Sequence, residues 1–393
     1  MLTTSPHPLL RLAFRPFFLL AAVYAAVSIG LWALVLRGMV SFQPYGNSVF
    51  WHGHELLFGF ATAILTGFLL TAVQTWTSQP GLQGKPLLAL VLLWLLARFL
   101  MAFPIIPFPL IGAIDCAFLL SVTWAFAVPV FKSGNKRNFK FVIVLLVMAT
   151  ANALSHYGQW AGDNSISWRG LYLFIWLLIL VISIITGRIM PMFTANGAGV
   201  ERVNNSPWLE TTTIGLTLIL VLNEGLGLKV YSGPTFSALL LIAGACFHLL
   251  RFLRWRFWLT FSIPLLWSLH ASYVFIPLGF SALALSHVTE AISASTATHW
   301  LTAGAMANMM LAMISRVALG HTGRPLSPHK LMSVSFILLL LSAVIRGFGA
   351  EVFGQYYFNW LSASAVAWVI AFLLYALLYW RILVSPRVDG KAG

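Results

Sequence analysis

Residues 51–76 read WHGHELLFGFATAILTGFLLTAVQTW. Past Trp51-His52-Gly53-His54-Glu55 the run stays apolar for roughly twenty residues, which is what an α-helix needs to cross ~30 Å of hydrocarbon. Two imidazoles and a carboxylate therefore stand at the mouth of a membrane helix. Such groups are costly near lipid unless they are paired, hydrated or bound to a metal.

The rest of the chain has the same character. Of its 393 residues 60% are hydrophobic and 8% charged, with a mean hydropathy of +0.90. That composition excludes a soluble enzyme and indicates an all-α integral membrane protein. Cys116 and Cys246 lie in apolar runs without a Cys-x-x-Cys partner, so neither a disulfide framework nor a cysteine-held cluster is expected. The polar N-terminus is short and its first apolar run continues into a full span, so no cleavable leader is expected. No dinucleotide fingerprint, Walker motif or hydrolase serine elbow is present.

Apolar runs of spanning length fall near 14–36, 50–76, 86–104, 107–131, 139–161, 169–192, 208–228, 234–252, 257–284, 294–319, 329–348 and 357–383, separated by Gly, Pro, Asn and Ser clusters. The expectation is one polytopic domain, 1–393, a bundle of twelve transmembrane helices. Twelve spans put both termini on one side. Eighteen of the 23 Lys and Arg fall on that side, and five, Arg37, Arg98, Arg169, Lys229 and Arg346, fall on the other. The positive-inside rule makes the terminal side cytoplasmic. The net charge of +14 then reports topology and contact with anionic lipid heads, not nucleic acid.

With that orientation the outer half collects the intramembrane chemistry. His52, His54, His156, His287 and His299 belong to it, and His270 lies near the middle of the ninth span. Six of the nine acids, Glu55, Asp115, Asp163, Glu224, Glu290 and Glu351, are there too. Arg98 and Asp115, at similar depth in consecutive spans, are placed to form a buried ion pair. Arg98 and Arg346 are also candidate cofactor-binding cations. Imidazole is the usual axial ligand of haem and a common ligand of copper, so the candidate metal ligands are His52, His54, His156, His270 and His299. His52 and His54 are about 200° apart on a regular helix, and the favoured arrangement turns His54 inward. Glu55 is the candidate catalytic residue, as a proton donor. Its alternative is a carboxylate favoured at the positive end of a helix. Met306, Met309, Met310 and Met313 read as adaptable packing, and Gly320-His321-Thr322-Gly323-Arg324 as a helix C-cap. The second and tenth spans both begin with a His and run into Gly/Ala-rich helix, too thin a likeness for a repeat.

Three stretches resemble the NnrS family of bacterial haem- and copper-containing membrane proteins. They are Phe14-Arg15-Pro16-Phe17-Phe18 with WHGHELLFGF (51–60) and GFLLTA (67–72); GRIMPMFTANG (187–197); and HWLTAGAMANMMLAMISRVALGHTGR (299–324). Leu269-His270, Tyr273 and Pro277-Leu278-Gly279 also match. Met192 and Ala195 depart from the pattern. The resemblance carries over His52, His54, His270, His299 and His321, and leaves His156 outside.

It implies a multi-pass protein of the bacterial inner membrane, linked to nitric oxide metabolism and nitrosative stress, with b-type haem and, as a second metal, copper. Nitric oxide reduction to nitrous oxide is the expected reaction, with a quinol or periplasmic carrier as electron donor, because the chain shows no flavin or nicotinamide site. The alternative is a nitric oxide, haem or copper binding protein or transporter without turnover. A terminal oxidase core is a remoter reading. A homodimer is one of the arrangements left open.

Overall fold

A computed structural model describes residues 7–204, 206–352 and 354–391. Among them the regular structure is entirely helical. Eleven helices are long and apolar enough to cross a membrane. In chain order the helices are α1 (Phe14–Leu36), α2 (Ser48–Thr77), α3 (Gly84–Ala102), α4 (Phe108–Lys132), α5 (Lys136–Ala161), α6 (Asn164–Ala198), α7 (Pro207–Leu220, continued by Val221–Gly225), α8 (Pro234–Arg254), α9 (Pro264–Val288), α10 (Ala294–His321), α11 (Lys330–Gly349) and α12 (Gly354–Val384). Every expected span finds a helix. α7 is the one outside the eleven, because Glu210 near its start and Asn223-Glu224 near its end dilute its apolar run.

The expected ninth span begins later than its apolar pattern suggests. Residues Phe257–Thr260 form a separate 3-10 turn, and α9 starts at Pro264, where proline suits the first helical turn. His270 is therefore within two turns of the start of α9, not at its middle. His287 belongs to the last turn of the same helix, not to a loop.

The fold groups into two compact units. One comprises residues 1–171, 314–326 and 372–393, and the other 172–313 and 327–371. In the first, α1 and α2 are in close contact because Gly67 has no side chain. A Cβ there would come within 2.8 Å of the Phe18 ring and 3.1 Å of the Phe14 Cα. The Phe14 amide completes the contact by donating to Thr71 Oγ1 at 3.1 Å.

Among the described residues four helices carry a π-helical stretch: α7 at Val221–Gly225, α11 at Ile345–Gly349, and α2 and α10, where it follows a histidine. In α2 a regular segment ends at His54 and gives way to a π-helical stretch, Glu55–Ala61. In α10 a regular segment ends at His299 and gives way to a π-helical stretch, Trp300–Ala307. The wider turn leaves carbonyls poorly served by the ladder, and π-bulges concentrate at functional sites. The residue after each of these two stretches supplies the missing donor five residues back: Thr62 Oγ1 to Leu57 O at 3.0 Å, and Asn308 Nδ2 to Ala303 O at 2.9 Å. The second and tenth spans thus share a helix geometry that α7 and α11 also adopt.

The Gly320–Arg324 turn is the expected C-cap. Gly323 adopts φ +73°, the Arg324 amide donates to Leu319 O at 3.0 Å and the Gly323 amide to Gly320 O at 3.2 Å, which is the Schellman arrangement.

Overpacking the α1–α2 contact should show in stability. Gly67→Ala is expected to lower it by about 1–3 kcal/mol, read as an earlier thermal unfolding midpoint in detergent by tryptophan fluorescence.

Candidate functional site

In the first unit α2 turns His54 and Glu55 fully inward, both at 0% exposure. His52, two residues earlier, stacks on the Trp32 ring at 4.7 Å instead. The two imidazoles of the WHGHE cluster thus face different surroundings, as a regular helix up to residue 54 requires. Gly53 does not loosen that turn.

Around His54 and Glu55, four more helices bring polar side chains into one buried network. Arg98 of α3 donates to Glu55 Oε1 at 2.5 Å and, through its other terminal nitrogen, to Asp115 of α4. The buried Arg98–Asp115 pair is therefore present, and Glu55 makes it a bridge of one guanidinium between two carboxylates. Tyr24 of α1 donates to the second oxygen of Glu55. From α5, Asn152 Nδ2 donates to Asp115 Oδ2 at 2.8 Å, and His156 Nε2 lies 3.1 Å from the same oxygen.

Gly59, in the π-helical stretch, makes room for the bridge: a Cβ there would come within 2.8 Å of the Arg98 guanidinium. The Trp94 indole fixes the same turn by donating to Gly59 O at 3.1 Å.

The donor and acceptor arrangement at His54 is unusual. Its Nδ1 faces Glu55 Oε1 at 2.9 Å. Its Nε2 faces Asn152 Oδ1 at 3.0 Å and Asp115 Oδ2 at 3.4 Å. The Asn152 amide nitrogen must face Asp115, so its oxygen must face His54. Both imidazole nitrogens thus meet acceptors. The charges agree: two carboxylates against one guanidinium leave one negative charge in a water-poor space. A proton on the second nitrogen of His54, or a metal cation beside it, removes that excess.

Among the described residues His54, Asp115 and His156 form a buried trio able to hold an ion, with one ligand atom from each lying within 4.8 Å of the others. Two imidazoles and one carboxylate suit non-haem iron, copper or zinc. Arg98 and Asn152 orient the carboxylate from behind, as partners of metal ligands commonly do. His156 Nδ1 is buried without a hydrogen-bond partner, so it offers a second donor atom. A haem plane does not fit here. Phe50 and Phe58 pack on His54 with ring centroids at 5.4 and 4.9 Å, Tyr45 on His156 at 5.3 Å, and Gly112 closes on the His156 ring.

The other candidates lie in the second unit. His270 Nε2 meets Thr194 Oγ1 at 2.9 Å, while its buried Nδ1 has no hydrogen-bond partner. His299 Nδ1 faces Ser295 O at 2.7 Å. That nitrogen must donate, which leaves Nε2 as the acceptor. Arg346 donates to Ser295 Oγ at 3.3 Å. Residue patterns alone did not single out Tyr24 or Asn152, nor Asp115 as a ligand. Asn152 stands one helical turn before His156, a spacing that could have flagged it. Tyr24 carries no such signal.

The bridge can be tested by stranding its carboxylates. Arg98→Met should destabilise the protein by about 3–5 kcal/mol, the cost of breaking a buried ion pair. Adding Glu55→Gln and Asp115→Asn to that variant should recover part of the loss. The readout is the thermal unfolding midpoint in detergent.

No curated protein matches this sequence. A family model described as NnrS protein matches residues 8–387, nearly the whole length. The chain belongs to the NnrS family.

Proposed function

We propose that this protein handles nitric oxide in the bacterial cytoplasmic membrane, binding it and reducing it to nitrous oxide at the His54–Asp115–His156 site. The observation that carries this reading is the network's one uncompensated negative charge beside three converging ligand atoms. A copper or non-haem iron ion bound there would supply the coordination position and the redox chemistry that nitric oxide needs. Haem, which the family resemblance implies, would be held in the second unit by His270 or His299 and would supply an iron that binds nitric oxide. The buried, unpartnered Nδ1 of His270 supports that choice.

Nitric oxide is apolar and partitions into lipid, so a site between membrane helices can receive it from the bilayer. Reduction joins two molecules of nitric oxide with two electrons and two protons, giving nitrous oxide and water. Within this chain His54, Asp115 and His156 hold the reacting position. Arg98 and Asn152 keep Asp115 from turning away. Phe50 and Phe58 exclude water from the imidazole face. Glu55, which accepts from Tyr24 and Arg98 and touches His54, is the carboxylate beside the ligands through which a proton would pass to the imidazole. Electrons come from a quinol or a periplasmic carrier. The distribution of Lys and Arg supports cytoplasmic termini and, with them, an outer-half position for this network.

A binding protein without turnover is the second reading. It is favoured by the way neighbouring side chains already hydrogen-bond the ligand atoms, an arrangement suited to retention more than to exchange.

Metal analysis of the purified full-length chain by mass spectrometry decides the site. His54→Ala and His156→Ala should each abolish most of the bound copper or iron. Asn152→Ala should weaken its retention by about 10–100-fold. Unchanged metal content in both histidine variants would sink the assignment. Nitrous oxide release with a quinol donor then separates reductase from binder.

A further inference from the structure

Among the rings that line the His54–Asp115–His156 site, Tyr45 carries a polar tip. It lies between α1 and α2, where its amide donates to Met101 O near the end of α3 at 3.0 Å. The residue is fully buried, at 0% exposure. Its ring packs on Phe108 with centroids 4.4 Å apart and meets His156 edge to face at 5.3 Å and 76°. Phe50 touches it at 6.1 Å and touches His54 as well. The two imidazoles meet at 4.8 Å. Tyr45, Phe50, His54 and His156 therefore form one cluster of rings, and Asp115 completes the trio from α4.

Phe50, Phe58 and Phe108 offer this lining only hydrocarbon. Tyr45 adds a hydroxyl, and that hydroxyl is buried without a hydrogen-bond partner. Leaving such a group unbonded costs about 1–3 kcal/mol, and a phenylalanine of the same ring shape would avoid that cost. Packing therefore does not account for the oxygen. Neither does the polar network, whose contacts through His54, Arg98 and Asn152 are made without it. His156 Nδ1, unpartnered on the ring that Tyr45 touches, does not take the proton either. A molecule that enters the site and presents an oxygen does account for it. Rings in contact leave room for nothing larger than a water molecule or a diatomic.

We propose that Tyr45 is a binding residue of this site, its hydroxyl donating a hydrogen bond to the oxygen of nitric oxide held beside His54 and His156. The proposal rests on the reading that the trio holds a metal ion. A hydrogen bond to that oxygen draws electron density toward it and weakens the N–O bond that reduction has to break. The donor is neutral, so it adds no charge to the network around Arg98. It also discriminates. Carbon monoxide is a diatomic of similar size but a far poorer hydrogen-bond acceptor, and a site built around a donor disfavours the molecule that leaves the donor unpaired.

The test uses the full-length chain purified with its metal, whose content is measured first. A wild type without metal removes the metal reading and the proposal together. With metal present, nitric oxide is added in the absence of oxygen and the N–O stretch is recorded by infrared spectroscopy in light and heavy water. In Tyr45→Phe the metal content should stay at the wild-type level and the stretch should move to higher frequency. Nitric oxide retention should weaken about 3–10-fold, the net contribution of one hydrogen bond, while carbon monoxide retention stays unchanged. A stretch and a retention identical to the wild type, at normal metal content, overturn the role of Tyr45 and leave the metal site standing. An equal loss of carbon monoxide retention also overturns it, because damaged packing acts on both gases. If Tyr45→Phe does not fold, the wild type decides: a stretch that moves in heavy water supports the hydroxyl, and one that does not move overturns it.

Discussion

One guanidinium shared between two carboxylates is the interaction on which the first unit depends. Arg98 joins α3 to Glu55 on α2 and to Asp115 on α4, and through Asp115 it reaches Asn152 and His156 on α5. Burying any one of these charges alone would cost several kcal/mol. The groups are affordable in a membrane only together, so the helices that carry them are committed to one arrangement. Packing provides the space: Gly59 lets the guanidinium cross α2, and Gly112 lets the His156 ring lie against α4.

The π-helical stretches serve the same end. A regular helix would carry Glu55 and the residues after it around at a constant 100° per residue. The wider turn after His54 changes that rotation immediately below the chemistry, and Thr62 meets the carbonyl it leaves behind. α10 repeats the device under His299 with Asn308. In both helices the histidine stands on the last regular turn, and the irregularity begins with the next residue.

Charge organises the network around Arg98. Two carboxylates against one guanidinium leave it short of one positive charge. Aromatic rings close it off, Phe50 and Phe58 on His54 and Tyr45 on His156.

Membrane character, the helical class, a helix at each expected span, though the ninth starts later than read, and the polar cluster at the mouth of the second span were legible in the sequence, because hydrocarbon thickness imposes a length and a composition that a linear reading detects. The pairing of Arg98 with Asp115 was legible from their places in consecutive spans. The C-cap at Gly323 was legible because only a left-handed residue completes that turn. Which histidines join which carboxylates was not. His156, outside the family motifs, proved the close neighbour of His54, while Asn152 and Tyr24 entered the network unannounced. Those choices rest on helix rotation, on a π-turn at Glu55 and on missing side chains at Gly59 and Gly112, and only the packed tertiary structure decides them.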